Sequence, residues 1–150
     1  MQPFSFKCNP LLLGGIEALF LILEDDDNTM QANALWALCN LSWSPTNQER
    51  AGRFITSIYP FLSSSYHPVK IQAFILISNI LYYNAANRGR FLELEGSMEL
   101  LLSTSFLLID CIIESLPHHG QIVVATSAIY CILFAISSTT FLAIYCYLPF

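Results

Sequence analysis

The chain has 150 residues, a formal net charge of −5 and 55% hydrophobic residues, with only 11% charged, against about 25% charged for a typical soluble domain. The length fits one domain, and the acidic balance with six scattered Lys and Arg excludes broad binding to a nucleic-acid backbone, which needs clustered cations. The five cysteines, Cys8, Cys39, Cys111, Cys131 and Cys146, are odd in number and widely spaced, so they form neither a disulfide framework nor a zinc pattern and point to a reducing compartment.

Residues 1–10 read as an irregular N-terminus. No basic leader or small-residue cleavage site marks a signal peptide there. Leu11 to Leu23 reads as a helix, with Gly14 and Gly15 at its start and Ile16, Leu19, Phe20 and Leu23 at helical spacing. Glu24 to Asn28, EDDDN, reads as a solvated turn that supplies acid to the next helix N-terminus. The alternative reading of that turn is a site for a cation or a basic peptide.

Thr29 to Trp43 reads as the organising helix. Met30, Ala34, Leu38 and Leu41, with Leu35 beside them, form an apolar side, and Asn33, Trp36 and Asn40 lie along another. Cys39 reads as a small core residue, and Pro45 stops the helix. A short polar helix, Asn47 to Phe54, and an apolar one, Ile55 to Leu62, come next. After the turn Ser63 to Pro68, Val69 to Tyr83 repeats the organising helix. Ala34 falls on Ala73, Leu38 on Ile77, Asn40 on Asn79 and Leu41 on Ile80, each 39 residues on. Asn84 to Asn87 breaks it, Arg88 to Glu95 is again short and charged, and Gly96 separates that segment from Met98 onward. An all-helical repeat near 40 residues is the signature of an α-solenoid.

Residues from about 12 to 102 resemble armadillo repeats, with HEAT repeats as the near neighbour. The resemblance implies units of a short helix H1, then H2, then a long H3, with a glycine between H1 and H2. Gly96 fits that glycine, Gly14-Gly15 fits it for the opening half-unit, and the first full unit has none near Thr56 and Ser57. The H3 pattern is matched by Ala34 to Leu41 and by Ala73 to Ile80. Trp36 with Asn40 is similar in particular to the importin-alpha subgroup. That likeness implies a concave H3 groove in which Trp rings clamp Lys and Arg stems and Asn amides bond an extended peptide. The second unit keeps Asn79 but has Ile75 in place of the Trp, and a third unit aligned at Ala128 offers Tyr130 and Phe134 without an Asn. The competing reading packs Trp36 between repeats and bonds Asn40 to a neighbouring loop.

All the Asp, Glu, Lys and Arg residues lie at or before Glu114. Residues 115–150 are therefore an uncharged, very apolar C-terminal segment, read as a third repeat, a membrane-associated tail or an aberrant terminus. Ile122 to Leu148 is long enough to cross a bilayer, which takes about 20 residues. It has no flanking Lys or Arg to set an orientation, and Ser137 to Thr140 divide it. Leu116 to Gly120 interrupts the window where a third H3 is due, Asp110 to Ile122.

No nucleotide cradle or catalytic triad is present in the sequence. His118 and His119 are adjacent and read as loop residues after Pro117 rather than as a metal pair. Asp110 and Glu114 read as a solvated helix edge. Asn40-Leu41-Ser42 is a formal glycosylation sequon expected to be inaccessible in a packed helix.

The fold expected is all-α: an armadillo/HEAT-like α-solenoid of two to three repeats over residues 11–114, possessing no cofactor and no catalytic residues. The function expected is that of a protein-interaction module in the cytoplasm or nucleus. It would bind a protein or extended peptide along the H3 face through Asn33, Trp36, Asn40, Gln72 and Asn79, in the manner of a nuclear-import adaptor. The alternative is a scaffold anchored in a membrane through Ile122 to Leu148. The chain is further read as a fragment or short isoform of a longer solenoid.

Overall fold

A computed structural model describes residues 14–82, 84–104 and 106. Among these the secondary structure is helical throughout, with no strand. The order is α1 (Gly15–Ile22), α2 (Asn28–Leu41), α3 (Pro45–Ala51), α4 (Ile55–Ile58), α5 (His67–Leu81) and α6 (Ala85–Leu92), and the chain is helical again over 97–104. Two 3₁₀ stretches, Gly52–Phe54 and Tyr59–Ser63, extend α3 and α4. On the repeat reading taken from the sequence, α1 and α2 would be an H2–H3 pair, the run from α3 through α5 a full unit, and α6 the opening of the next.

Helix limits differ from the sequence reading where local chemistry intervenes. The organising helix ends at Leu41 rather than Trp43, and Ser44 is extended at φ −84°, ψ 130°, because a residue before proline is driven out of the helical region. Pro45 therefore ends one helix and opens the next: it stands in the first turn of α3, where a missing N–H costs nothing. The expected apolar helix Ile55 to Leu62 is α-helical only to Ile58 and then tightens to 3₁₀. Pro60 lacks the N–H an α-helix needs there. Asn84 does not break the chain for four residues as expected. It caps α6, accepting from Asn87 N at 3.0 Å, so that the helix starts at Ala85.

The acidic turn does what its composition implies. The Asp27 carboxylate accepts from Thr29 N (2.7 Å) and Met30 N (3.2 Å), capping α2. Gln31 Nε2 reaches back to the Asp25 carbonyl at 2.5 Å and closes the turn.

Helix α5 is the centre of the described structure. Val69, Ala73, Phe74, Leu76, Ile77, Ile80 and Leu81 all have no exposed surface, and the helix packs on α2, α3, α4, the 3₁₀ stretch after α4, and α6. A helix apolar on most of its circumference needs neighbours on most sides. Each large side chain removed from water here stabilises by about 1.5–3 kcal/mol. α2 is buried on one face only, through Ala34, Leu35, Leu38 and Cys39. Met30, expected on that face, is 46% exposed in the first turn. Phe20 of α1 stacks on Phe54 with ring centroids 4.2 Å apart. Beside that contact Arg50 and Glu17 pair at 2.8 Å, and the guanidinium hydrogen bond holds the Glu17 carboxyl below its ordinary pKa.

Asparagines at equivalent places tie α3 to the end of α2 and α6 to α5 and α3. Asn47 Nδ2 donates to Leu41 O at 2.9 Å, and Asn87 Nδ2 donates to Ile80 O at 3.0 Å and to Gln48 O at 2.9 Å. Asn87 is fully buried and also accepts from Arg90 at 2.7 Å. Gly96 has φ +69°, the left-handed turn expected between H1 and H2. At Thr56, where no glycine stands, the chain instead bends through Phe54, at φ −107°, ψ 17°, without a left-handed residue. Gly14 precedes α1 at φ −103°, not in that region.

The apolar C-terminal segment, with Ile122 to Leu148, His118 and His119, lies outside the described residues, as do Asp110 and Glu114. Among the described residues no helix is long and apolar enough to cross a membrane.

Candidate functional site

The five residues read from the sequence fall on two packed helices. On α2, Asn33, Trp36 and Asn40 share one face with Trp43 just past the helix end. All four are exposed, Trp36 by 58% and Trp43 by 72%. Trp36 is therefore not packed in the core. Asn40 is also exposed, contrary to the expectation that the sequon would be inaccessible, whereas Ser42 of the same sequon is 1% exposed.

The positions 39 residues on are Gln72, Ile75 and Asn79 on α5 and Tyr82 just past its end. The first three are half-buried and Tyr82 is 47% exposed. The two strips are joined by polar contacts. The Cys39 thiol donates to Gln72 O at 3.2 Å, and Asn79 Nδ2 donates to Cys39 O at 3.3 Å and to Ser42 Oγ at 3.0 Å. Ser42 Oγ donates in turn to Cys39 O at 2.7 Å. Burial at this seam pushes the Cys39 thiol pKa well up, since a thiolate there would lose its hydration.

Asn40 and Asn79, aligned by the repeat, thus differ. Asn79 leans on α2 and spends both amide protons on it. Asn40 projects from the first H3 into solvent. The α2 strip has an acidic end, the exposed Glu24 to Asp27 at the helix N-terminus, and an aromatic end at Trp43.

Trp43 and Tyr82 are not among the residues that the Trp-x3-Asn spacing singles out, although Trp43 lies seven residues after Trp36 and Tyr82 lies 39 after Trp43. Among the described residues no group of three or more His, Cys, Asp or Glu side chains is placed to hold a metal ion.

Residues 13–43 match the family model of the Armadillo/beta-catenin-like repeat, a stretch that holds α1 and α2. No curated protein matches the chain, and no solved structure does. The match supports an armadillo-repeat family, whose repeats are typically non-catalytic and bind proteins or peptides.

Proposed function

We propose that this armadillo-type chain is a non-catalytic interaction module that takes an extended peptide across the α2–α5 face, through Asn33, Trp36 and Asn40 on one helix and Gln72 and Asn79 on the other. The observation that carries the reading is the exposure of Trp36. A large indole left 58% in water between two exposed asparagines contributes little to the fold and offers a broad face to a ligand. Amides on either side can donate to and accept from an extended backbone. Asn79, with its Nδ2 committed to Cys39 O and Ser42 Oγ, has its carbonyl oxygen to offer a peptide N–H.

The finer form of the proposal is recognition of a basic peptide, as by a nuclear-import adaptor, placing the protein in cytoplasm and nucleus. The net charge of −5 and the Trp36-x3-Asn40 spacing support it. Ile75 in the second unit limits this part of the ladder to one indole clamp.

The test compares Trp36→Ala with the unaltered chain, measuring anisotropy of a fluorescein-labelled lysine-rich peptide and urea unfolding in parallel. Loss of an exposed cation–π contact weakens binding about 2- to 5-fold. A substitution at an exposed site shifts stability by no more than about 0.5 kcal/mol. Equal loss of binding and stability would assign Trp36 to the fold and overturn the reading.

A further inference from the structure

The turns that lead into α2 and α5 share one backbone form. Asp27 (φ −77°, ψ 108°) and Tyr66 (φ −85°, ψ 107°) stand immediately before the two helices. Their carbonyls accept from Gln31 N at 2.9 Å and from Lys70 N at 3.1 Å. Two residues before each of them a side-chain oxygen folds the turn. Asp25 Oδ1 accepts from Asp27 N at 2.9 Å, and Ser64 Oγ accepts from Tyr66 N at 3.2 Å. The same place therefore holds a carboxylate in one turn and a hydroxyl in the other. Glu24, Asp25 and Asp26 fall on Ser63, Ser64 and Ser65 at the 39-residue offset.

The side chain that reaches over the turn changes in step. Gln31 reaches back over the first turn, its Nε2 donating to Asp25 O at 2.5 Å. Its counterpart at the second turn is Lys70, which brings a full positive charge where Gln31 brings an amide. No Asp or Glu occurs from Arg50 to Leu92. Among the described residues the Lys70 ammonium has no ion-pair or hydrogen-bond partner. The second turn thus has a cation within reach and none of the acid that the first turn carries. Ser63, Ser65, Tyr66, His67 and Pro68 are exposed, Ser64 is half-buried, and its bond to Tyr66 N lies at the surface.

We propose that Ser64 is a phosphorylation site and that its phosphate pairs with Lys70. In the transfer Ser64 Oγ bonds to the γ-phosphorus of a nucleoside triphosphate held by a protein kinase. The bond from that phosphorus to the β–γ bridging oxygen breaks, the hydroxyl proton passes to a base of the kinase, and the nucleoside diphosphate leaves. The phosphoserine oxygens can still accept from Tyr66 N, as Asp25 does from Asp27 N, and they gain charge-assisted hydrogen bonds from the ammonium. Phosphorylation gives the second turn the acidic character that the first has by sequence, and ties it to α5, the centre of the described structure. The inference goes beyond the peptide-binding reading and does not rest on it.

The experiment has two arms, both on the full chain. In the first, the chain and Ser64→Ala are each incubated with ATP and a cytosolic extract that supplies protein kinases, and phosphopeptides are mapped by mass spectrometry. Phosphate is expected on Ser64 and is lost in Ser64→Ala. Phosphate on Ser63 or Ser65 alone, or none in this turn, overturns the assignment. In the second, phosphoserine is placed at position 64 during translation, and urea unfolding is followed with and without Lys70→Gln, which installs the residue found at position 31. The phosphate should raise the folding equilibrium constant about 2- to 5-fold, the range of a surface ion pair. Lys70→Gln should remove about half of that gain or more while changing the unmodified chain little. A phosphate that leaves stability unchanged or lowers it, or a gain that Lys70→Gln does not touch, overturns the pairing.

Discussion

Gly52→Ala isolates the contact that fixes one unit on the next. Gly52 has φ −60° and ψ −20°, a conformation any residue adopts, so the backbone itself does not object to alanine. The obstacle is Asn87. A Cβ on Gly52 would lie 2.5 Å from Asn87 Nδ2 and closer still to its Cγ and Oδ1. The amide cannot swing aside without loss, because it is fully buried and bonds Gln48 O, Ile80 O and the Arg90 guanidinium. Two neutral hydrogen bonds contribute about 0.5–1.5 kcal/mol each, and a buried group left unmatched costs about 1–3 kcal/mol more. Alanine returns roughly 0.5–1 kcal/mol through lower backbone entropy in the unfolded chain. The net expectation is a destabilisation of about 2–4 kcal/mol, read by urea unfolding followed by circular dichroism. The decisive comparison is a double-mutant cycle. Once Asn87→Ala has removed the amide, adding Gly52→Ala should cost nothing or stabilise slightly. A Gly52→Ala that is neutral in the unaltered chain, or equally costly in both backgrounds, would refute the steric argument.

Two further substitutions probe the fold elsewhere. Gly96→Ala should cost about 1–2 kcal/mol in the same unfolding assay, from the left-handed backbone alone, since its Cβ would meet only Tyr59 Oη at an ordinary 3.8 Å. Gly96→Asn should cost less, because asparagine tolerates that region. Cys39→Ala probes linkage. Burial raises the folded pKa of this thiol above its unfolded value, so its contribution is full below about pH 8.5, the ordinary thiol pKa, and declines as the unfolded chain ionises at higher pH. Stability measured from pH 7 to 10 should fall more steeply for the unaltered chain than for Cys39→Ala. Parallel slopes would show that the thiol ionises equally in both states.

Much of the scaffold can be read from periodicity. Ala34 with Ala73 and Leu38 with Ile77, matched at 39 residues, are all buried, because residues that share a helix face in successive units meet the same kind of neighbour. The turn glycine is legible too: Gly96 stands where a left-handed residue is required. The proline-bounded helix limits were less so. Pro45 and Pro60 each act through one local geometry that pattern matching does not distinguish, opening a helix in the first case and tightening one in the second.

The sequence alone determined the helical class, the repeat length and the face on which Trp36 and Asn40 lie, since these follow from side-chain spacing along one helix. Only the tertiary structure decided which faces are covered. Asn40 and Asn79 occupy the same place in the repeat, yet one is in solvent and the other is bonded to the end of α2. Trp36 is open where the equivalent Ile75 is half-buried, and α2 is buried on one face where α5 is buried on nearly all. Spacing fixes the direction of a side chain relative to its own helix axis. Whether that direction meets water, a carbonyl or another helix depends on what the packing of distant segments brings alongside.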